Sequence, residues 1–114
     1  MDGCIFCSII EGKIPSKKVY EDDQVFAFWD INPEAPVHVL IIPKQHIESI
    51  NELNEDNLKV VGHIYNTAKK IAKELGVAES GYRVVSNCGS DAGQTVFHIH
   101  FHLLGGRNLS WPPG

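Results

Sequence analysis

Apolar and polar positions change period along this chain, and each change marks an element. KVYEDDQVFAFWDI, residues 18–31, reads as two short strands around the acidic turn Glu21-Asp22-Asp23. Asn32-Pro33 then marks a turn. VHVLIIP, residues 37–43, is a β-branched run closed by Pro43, the pattern of a buried strand. From Asn54 the period lengthens. Leu58, Val61, Ile64, Ala68, Ile71 and Leu75 recur at three- and four-residue spacing, while Lys59, His63, Lys70 and Lys73 take the opposite side. Asn54 is placed to cap this helix, Glu55 and Asp56 suit the positive end of its dipole, and Gly76 supplies the stop. The pattern predicts an amphipathic helix of about 20 residues, roughly 30 Å long. GYRVVSNC and VFHIHFHLL return to strand character, joined by the loop GSDAGQT. The tail GGRNLSWPPG, with paired glycines and paired prolines, cannot continue a sheet. Such an order predicts an α+β fold, an antiparallel sheet with one long helix against it.

Composition narrows the function. With 114 residues and no repeat or linker, residues 1–114 are expected to form one domain. A net charge of −4 argues against a nucleic-acid partner, although one local pocket on an acidic protein can still be positive and take a small anion. The longest apolar run, Val39 to Ile42, is far too short for a bilayer, and no basic leader precedes Cys4, so no membrane association or export is expected. Three cysteines fit a reducing compartment better than a disulfide scaffold, and the cytoplasm is the expected location.

The candidate chemistry lies in FHIHFHLLGG, residues 97–106, where three of the six histidines alternate. On a strand, His98, His100 and His102 share one face while Phe97, Ile99, Phe101 and Leu103 take the other, the core-facing one. One strand histidine is ordinary; three in alternation imply a site. A single ion cannot serve all three, because the outer pair sits roughly 13 Å apart on a strand and Zn–N bonds are about 2 Å. His100, with a neighbour on each side, is then the reactive centre. Its neutral imidazole is a competent nucleophile, and attack on phosphorus would give a labile phospho-histidine. The preceding loop holds Asn87, Gly89, Ser90, Gly93, Gln94 and Thr95, whose backbone amides and hydroxyl suit a phosphate, though many hairpin loops look similar.

Cys4 and Cys7 form Cys-x-x-Cys. That spacing is half of a tetrahedral zinc site, but a buried pair of small side chains or a redox dithiol would have it too. Cys88 reads as a plain buried thiol and His63 as a solvent-facing residue of the lysine-rich helix face.

His98-Ile-His100-Phe-His102-Leu-Leu resembles the signature of the histidine triad (HIT) family, three alternating histidines with apolar residues between and after them. CIFCSII, YEDDQVFAFWDINPEAPVHVLIIPKQHI, GYRVVSNCGSDAGQTVFHIHFHLLGGR and WPPG extend the resemblance nearly end to end, toward the Hint-like branch of prokaryotic, zinc-binding type. The resemblance implies a HIT-like fold with a short N-terminal helix beside the long one. It implies hydrolysis of purine nucleoside 5′-phosphoramidates to the monophosphate, with His100 carrying the nucleotidyl group, His102 on the phosphate and His38 completing the cluster. Asn87, Gly93 and Thr95 match phosphate-gripping positions, and Thr95 stands where serine is usual and serves the leaving group. Asp30 matches the ribose-binding carboxylate; Ile5, Phe6, Ile9, Phe28 and Ile31 match the base pocket. Trp29 stands at a position that varies in the family. The family forms homodimers in which a C-terminal segment, here with Trp111, reaches toward the partner's site. Zinc-binding members imply Cys4, Cys7, His46 and His98 as ligands of a structural zinc. Sister branches cleave dinucleoside polyphosphates or transfer nucleotides, and from another class a non-enzymatic nucleotide- or protein-binding module would keep the same histidines for affinity.

Overall fold

A computed structural model describes residues 3–114; Met1 and Asp2, the start of the stretch in which a leader would stand, lie outside the described residues. The elements run α1 Ile5–Ile10, β1 Lys18–Glu21, β2 Val25–Trp29, β3 Val37–Pro43, α2 Lys59–Glu74, β4 Tyr82–Val85 and β5 Phe101–Gly105, with single 3₁₀ turns at Ile50–Glu52 and Ser90–Ala92. The strands form one antiparallel sheet in the order β1-β2-β3-β5-β4. The expected α+β architecture, with one long and one short N-terminal helix, is the observed one. Among the described residues no helix is long and apolar enough to cross a membrane.

The expected acidic turn closes the first hairpin. Asp22 Oδ1 accepts the backbone N–H groups of Gln24 and Val25, at 2.8 and 2.9 Å, replacing ladder bonds where the chain reverses. All seven residues of β3 are buried, as a central strand covered on both faces requires. Alternation then sorts the side chains. Val25, Ala27, Val39, Ile41, Phe101 and Leu103 meet Ile64, Ala68, Ile71 and Ala72 of α2. Phe26, Phe28, Leu40 and Ile42 face the other way and meet Cys4, Phe6, Cys7 and Ile9 from the α1 segment.

Two boundaries differ from the sequence expectation. The helix is shorter at its start. Asn54 does cap, accepting the N–H groups of Asp56 and Asn57 at 2.8 and 3.1 Å, but it caps a separate turn that leads into α2 at Lys59. At the far end Gly76, at φ +77, lets the Val77 N–H reach the Ala72 carbonyl (2.9 Å), a glycine-closed helix end as expected. The strand expected over VFHIHFHLL begins only at Phe101, because the Ile99 N–H donates not to a strand but to the Ile47 carbonyl in the β3–α2 connection, at 2.6 Å. Phe97 falls in the irregular part and is 56% exposed rather than in the core.

Candidate functional site: a histidine cluster beside a cysteine–histidine cluster

The face of the sheet away from α2 carries both clusters. β3 brings His38, β5 brings His102, and the irregular segment before β5 brings His98 and His100. His38 pairs across the ladder with Leu104, and Leu40 with His102, so His38 and His102 are diagonal neighbours and their rings meet.

The ring tautomers follow from the hydrogen-bond partners. The Glu34 backbone N–H donates to His38 Nδ1 at 3.0 Å, which places the proton of a neutral His38 on Nε2. That nitrogen lies 2.9 Å from His102 Nδ1 and 3.4 Å from Asp30 Oδ2. His102 Nδ1 is therefore an acceptor, and its own proton sits on Nε2 as a donor. His100 Nδ1–H donates to the His98 carbonyl at 2.8 Å, leaving Nε2 as a lone pair. Phe6 lies edge-on to the His100 ring at 5.1 Å, and the His102 ring is 5.1 Å away on the other side. Burial lowers the pKa of His100 against the opposing pull of the His98 carbonyl and Asp30. His102 is pushed down to about 4, by burial first and then by its histidine neighbours. Burial lowers His38 too, although Asp30 and Glu34 act against it. All three rings are thus neutral near pH 7, and a neutral ring keeps the His100 lone pair.

His98 belongs to a different centre. It is 0% exposed, and its Nε2–H donates to the Pro43 carbonyl at 2.8 Å, which turns the Nδ1 lone pair inward. Nδ1 lies 3.5 Å from both Cys4 Sγ and Cys7 Sγ and 3.2 Å from His46 Nδ1; Cys7 Sγ lies 3.3 Å from His46 Nδ1. A tetrahedral zinc centre built from ordinary Zn–S and Zn–N bonds has edges of about 3.5 Å between sulfur and nitrogen and about 3.3 Å between nitrogens. These four edges fit that figure, and all four donor atoms lie within 4.8 Å of one another. Burial, more than its charged neighbours, pushes His98 down to about 4, so it offers a neutral imidazole as a ligand must.

Comparison with known proteins fixes the family. The model described as "Scavenger mRNA decapping enzyme C-term binding" matches residues 3–110. A HIT family hydrolase of Legionella pneumophila superposes with a TM-score of 0.96 at 52% identity, covering 98% of this chain and 100% of that one. The chain belongs to the histidine triad (HIT) family. A 14 kDa zinc-binding protein of Zea mays is 50% identical over 112 residues, 96% of this chain and 87% of that protein. The histidine triad nucleotide-binding protein of Candida albicans superposes with a TM-score of 0.82 at 40% identity, covering 96% and 83%.

Within this HIT chain the other expected site residues separate into those brought together and those left apart. Phe6, Ile9 and Phe28 pack in one cluster, with Phe6 and Phe28 edge to face at 5.6 Å. Ile5 is 49% exposed and instead lines a groove of about 350 Å³ with Thr95, Phe97 and His46. Ile31 (91% exposed) and Trp111 (81% exposed) stand clear of the aromatic cluster. Asp30 lies beside His38, its other oxygen accepting the Asn32 N–H at 2.8 Å, and it borders a cavity of about 660 Å³ with Ile31, Trp29 and Lys17. Asn87 is half-buried just past β4, and Gly93 and Thr95 are exposed in the loop before the histidines. Gln94 is buried between them and is the loop's anchor rather than a ligand group. Its Oε1 accepts the Gly89 N–H, and its Nε2 donates to the Glu48 and Val96 carbonyls. Two readings are corrected. Cys88 is half-buried, not buried. His63 is not free in solvent: its Nε2 meets Asp22 Oδ2 at 2.7 Å, because the first hairpin folds back over α2. Sequence reasoning also missed Ser86, whose hydroxyl donates to the His100 carbonyl at 3.0 Å; no periodicity singles out a serine at a strand end.

Proposed function

We propose that this HIT protein, a single domain, hydrolyses purine nucleoside 5′-phosphoramidates and related monophosphate conjugates through a nucleotidyl-histidine intermediate. The observation that carries the reading is the ring network: His100 Nδ1 is occupied by the His98 carbonyl, so the Nε2 lone pair is available beside a His102 ring whose Nε2–H is a donor. In the first step a bond forms from His100 Nε2 to the α-phosphorus as the bond to the leaving amine breaks. The amine departs with a proton that solvent water supplies and the Thr95 hydroxyl relays. Water then attacks phosphorus and gives up its proton to solvent, the P–Nε2 bond breaks to restore the neutral His100 ring, and the monophosphate leaves. His102 Nε2–H, Asn87 and the backbone near Gly93 hold the phosphate oxygens, and His38 fixes the His102 tautomer. Asp30 accepts from the ribose hydroxyls. Phe6, Ile9 and Phe28 pack against the base; Ile5 and Ile31 close over it. The exposure of Ile31 and Trp111 supports a homodimer as the working unit, with Trp111 reaching toward the partner's site. Cys4, Cys7, His46 and His98 hold a structural zinc, which when bound cross-links α1 to the histidine segment. We place the protein in the cytoplasm, acting on free nucleotides.

Turnover of adenosine 5′-phosphoramidate tests the reading. Wild type should release adenosine monophosphate, and His100→Ala should lose roughly 10³-fold or more in kcat while still binding the monophosphate. Monophosphate binding with no release by the wild type would leave a binding module instead.

A further inference from the structure

Ser86 is the first residue beyond β4, and nothing above gives it a part in the chemistry. The β4–β5 ladder runs from Tyr82↔Gly105 to Val85↔His102, and the β3–β5 ladder ends at Ile41↔Phe101. His100 lies past the end of both. Its segment is held by bonds of another kind. The Ile99 N–H donates to the Ile47 carbonyl, His98 Nε2–H donates to the Pro43 carbonyl, and the Ser86 hydroxyl donates to the His100 carbonyl at 3.0 Å. The first two fasten the segment from the β3 side. Ser86 fastens it from the β4 side, and it grips the residue whose imidazole stands over the site.

The replacement has a physical reason. Had β4 continued, a backbone donor would have met this region and the loop that follows could not have turned away toward Gly89 and Gly93. A serine hydroxyl reaches one bond further than the ladder and lets the backbone leave. The His100 carbonyl and its ring hang from the same Cα, and the ring's Nδ1–H is itself tied to the His98 carbonyl at 2.8 Å. Two tethers, one on the main chain and one on the ring, thus fix where Nε2 points. Without the Ser86 hydroxyl this half-buried carbonyl must turn to find another donor, and the imidazole turns with it.

We propose that Ser86 is a positioning residue for His100: its hydroxyl, by holding the His100 carbonyl at the point where the sheet ends, keeps the imidazole aimed for attack. The inference rests on the nucleophile reading above. The test uses the full chain and adenosine 5′-phosphoramidate. Ser86→Ala should lower kcat about tenfold, less than the roughly hundredfold expected of a 1 Å misplacement, with KM and adenosine monophosphate affinity within about twofold of wild type. Ser86→Thr, which keeps the hydroxyl, should recover most of the rate. An unchanged kcat in Ser86→Ala would overturn the proposal. So would a loss of kcat shared equally by KM and monophosphate affinity and not recovered by threonine, the mark of a merely structural residue. Nitrogen-detected NMR of the His100 ring separates this from the wider reading. If the wild type releases no monophosphate, the nucleophile reading fails and the ring decides the positioning: a single Nδ1–H tautomer in wild type that becomes mixed in Ser86→Ala supports it, and an unaltered ring overturns it.

Discussion

His98 and His102 are the same residue type four positions apart, and they differ in what their second ring nitrogens meet. His98 gives its Nε2–H to the Pro43 carbonyl and turns Nδ1 into the cysteine pair; His102 receives His38 on Nδ1 and presents Nε2–H. The alternation in the sequence is enough to place all three histidines on one face and the middle one between two different neighbours, and the estimated span of the outer pair already denies them a common ion. What the alternation cannot convey is the end of the strand. That is set by the Ile47 carbonyl and the Ser86 hydroxyl, groups far away in sequence, and Phe97 is exposed for the same reason. Ligand identity was legible only through family resemblance. Cys-x-x-Cys by itself left three readings open, and His46 carries no local mark that links it to Cys7. The rate losses argued for His100→Ala and Ser86→Ala belong to this scale: Ser86→Ala removes one donor, and His100→Ala removes the lone pair together with a buried ring that packs against Phe6 and His102.

At the scale of elements, the long helix was the plainest feature of the sequence and its partner on the first hairpin the least plain. Apolar spacing gave the face that meets the sheet, and Gly76 gave the stop; the turn capped by Asn54 blurred the start because a capped turn and a helix use the same residues. His63 sits on the charged face and so reads as solvated, yet it joins α2 to the β1–β2 turn through Asp22. Burial works against the Asp22 carboxylate, but the Gln24 and Val25 amides, His63 and Tyr20 outweigh it and hold its pKa well below the ordinary carboxylate range. A folded-state pKa depressed in this way contributes stability that is fully present above the unfolded value, about 3.9, and is lost as pH falls through the folded value. Asp22→Asn should therefore cost about 1–2 kcal/mol at pH 7, and its deficit should shrink as the pH falls below about 4. Denaturation of both proteins at a series of pH values checks this; a deficit that stays constant into acid would remove the carboxylate from the account.

On the scale of the whole molecule, one sheet separates two apolar layers of unequal size. The larger, under α2, is an ordinary core. The smaller lies under the six residues of α1, a helix too short to stand by itself; it includes Cys4 and Cys7, and its Phe6 ring is 6.0 Å from His98. A zinc there would tie the N-terminal segment to the end of β3 and to the histidine segment together, so its loss should be felt as stability. Purified wild type should carry about one zinc per chain, and Cys4→Ser should carry much less and melt on the order of 10 °C lower. Metal analysis and melting check both; sub-stoichiometric zinc unaffected by Cys4→Ser would sink the zinc reading while leaving the histidine chemistry standing. That chemistry is the central claim, and rapid acid-free quenching during turnover of adenosine 5′-phosphoramidate, followed by peptide mass analysis, addresses it most directly. The account predicts an adenylyl group on the peptide containing His100, absent from His100→Ala. Turnover with no adduct at any time, or an adduct on another residue, would contradict it.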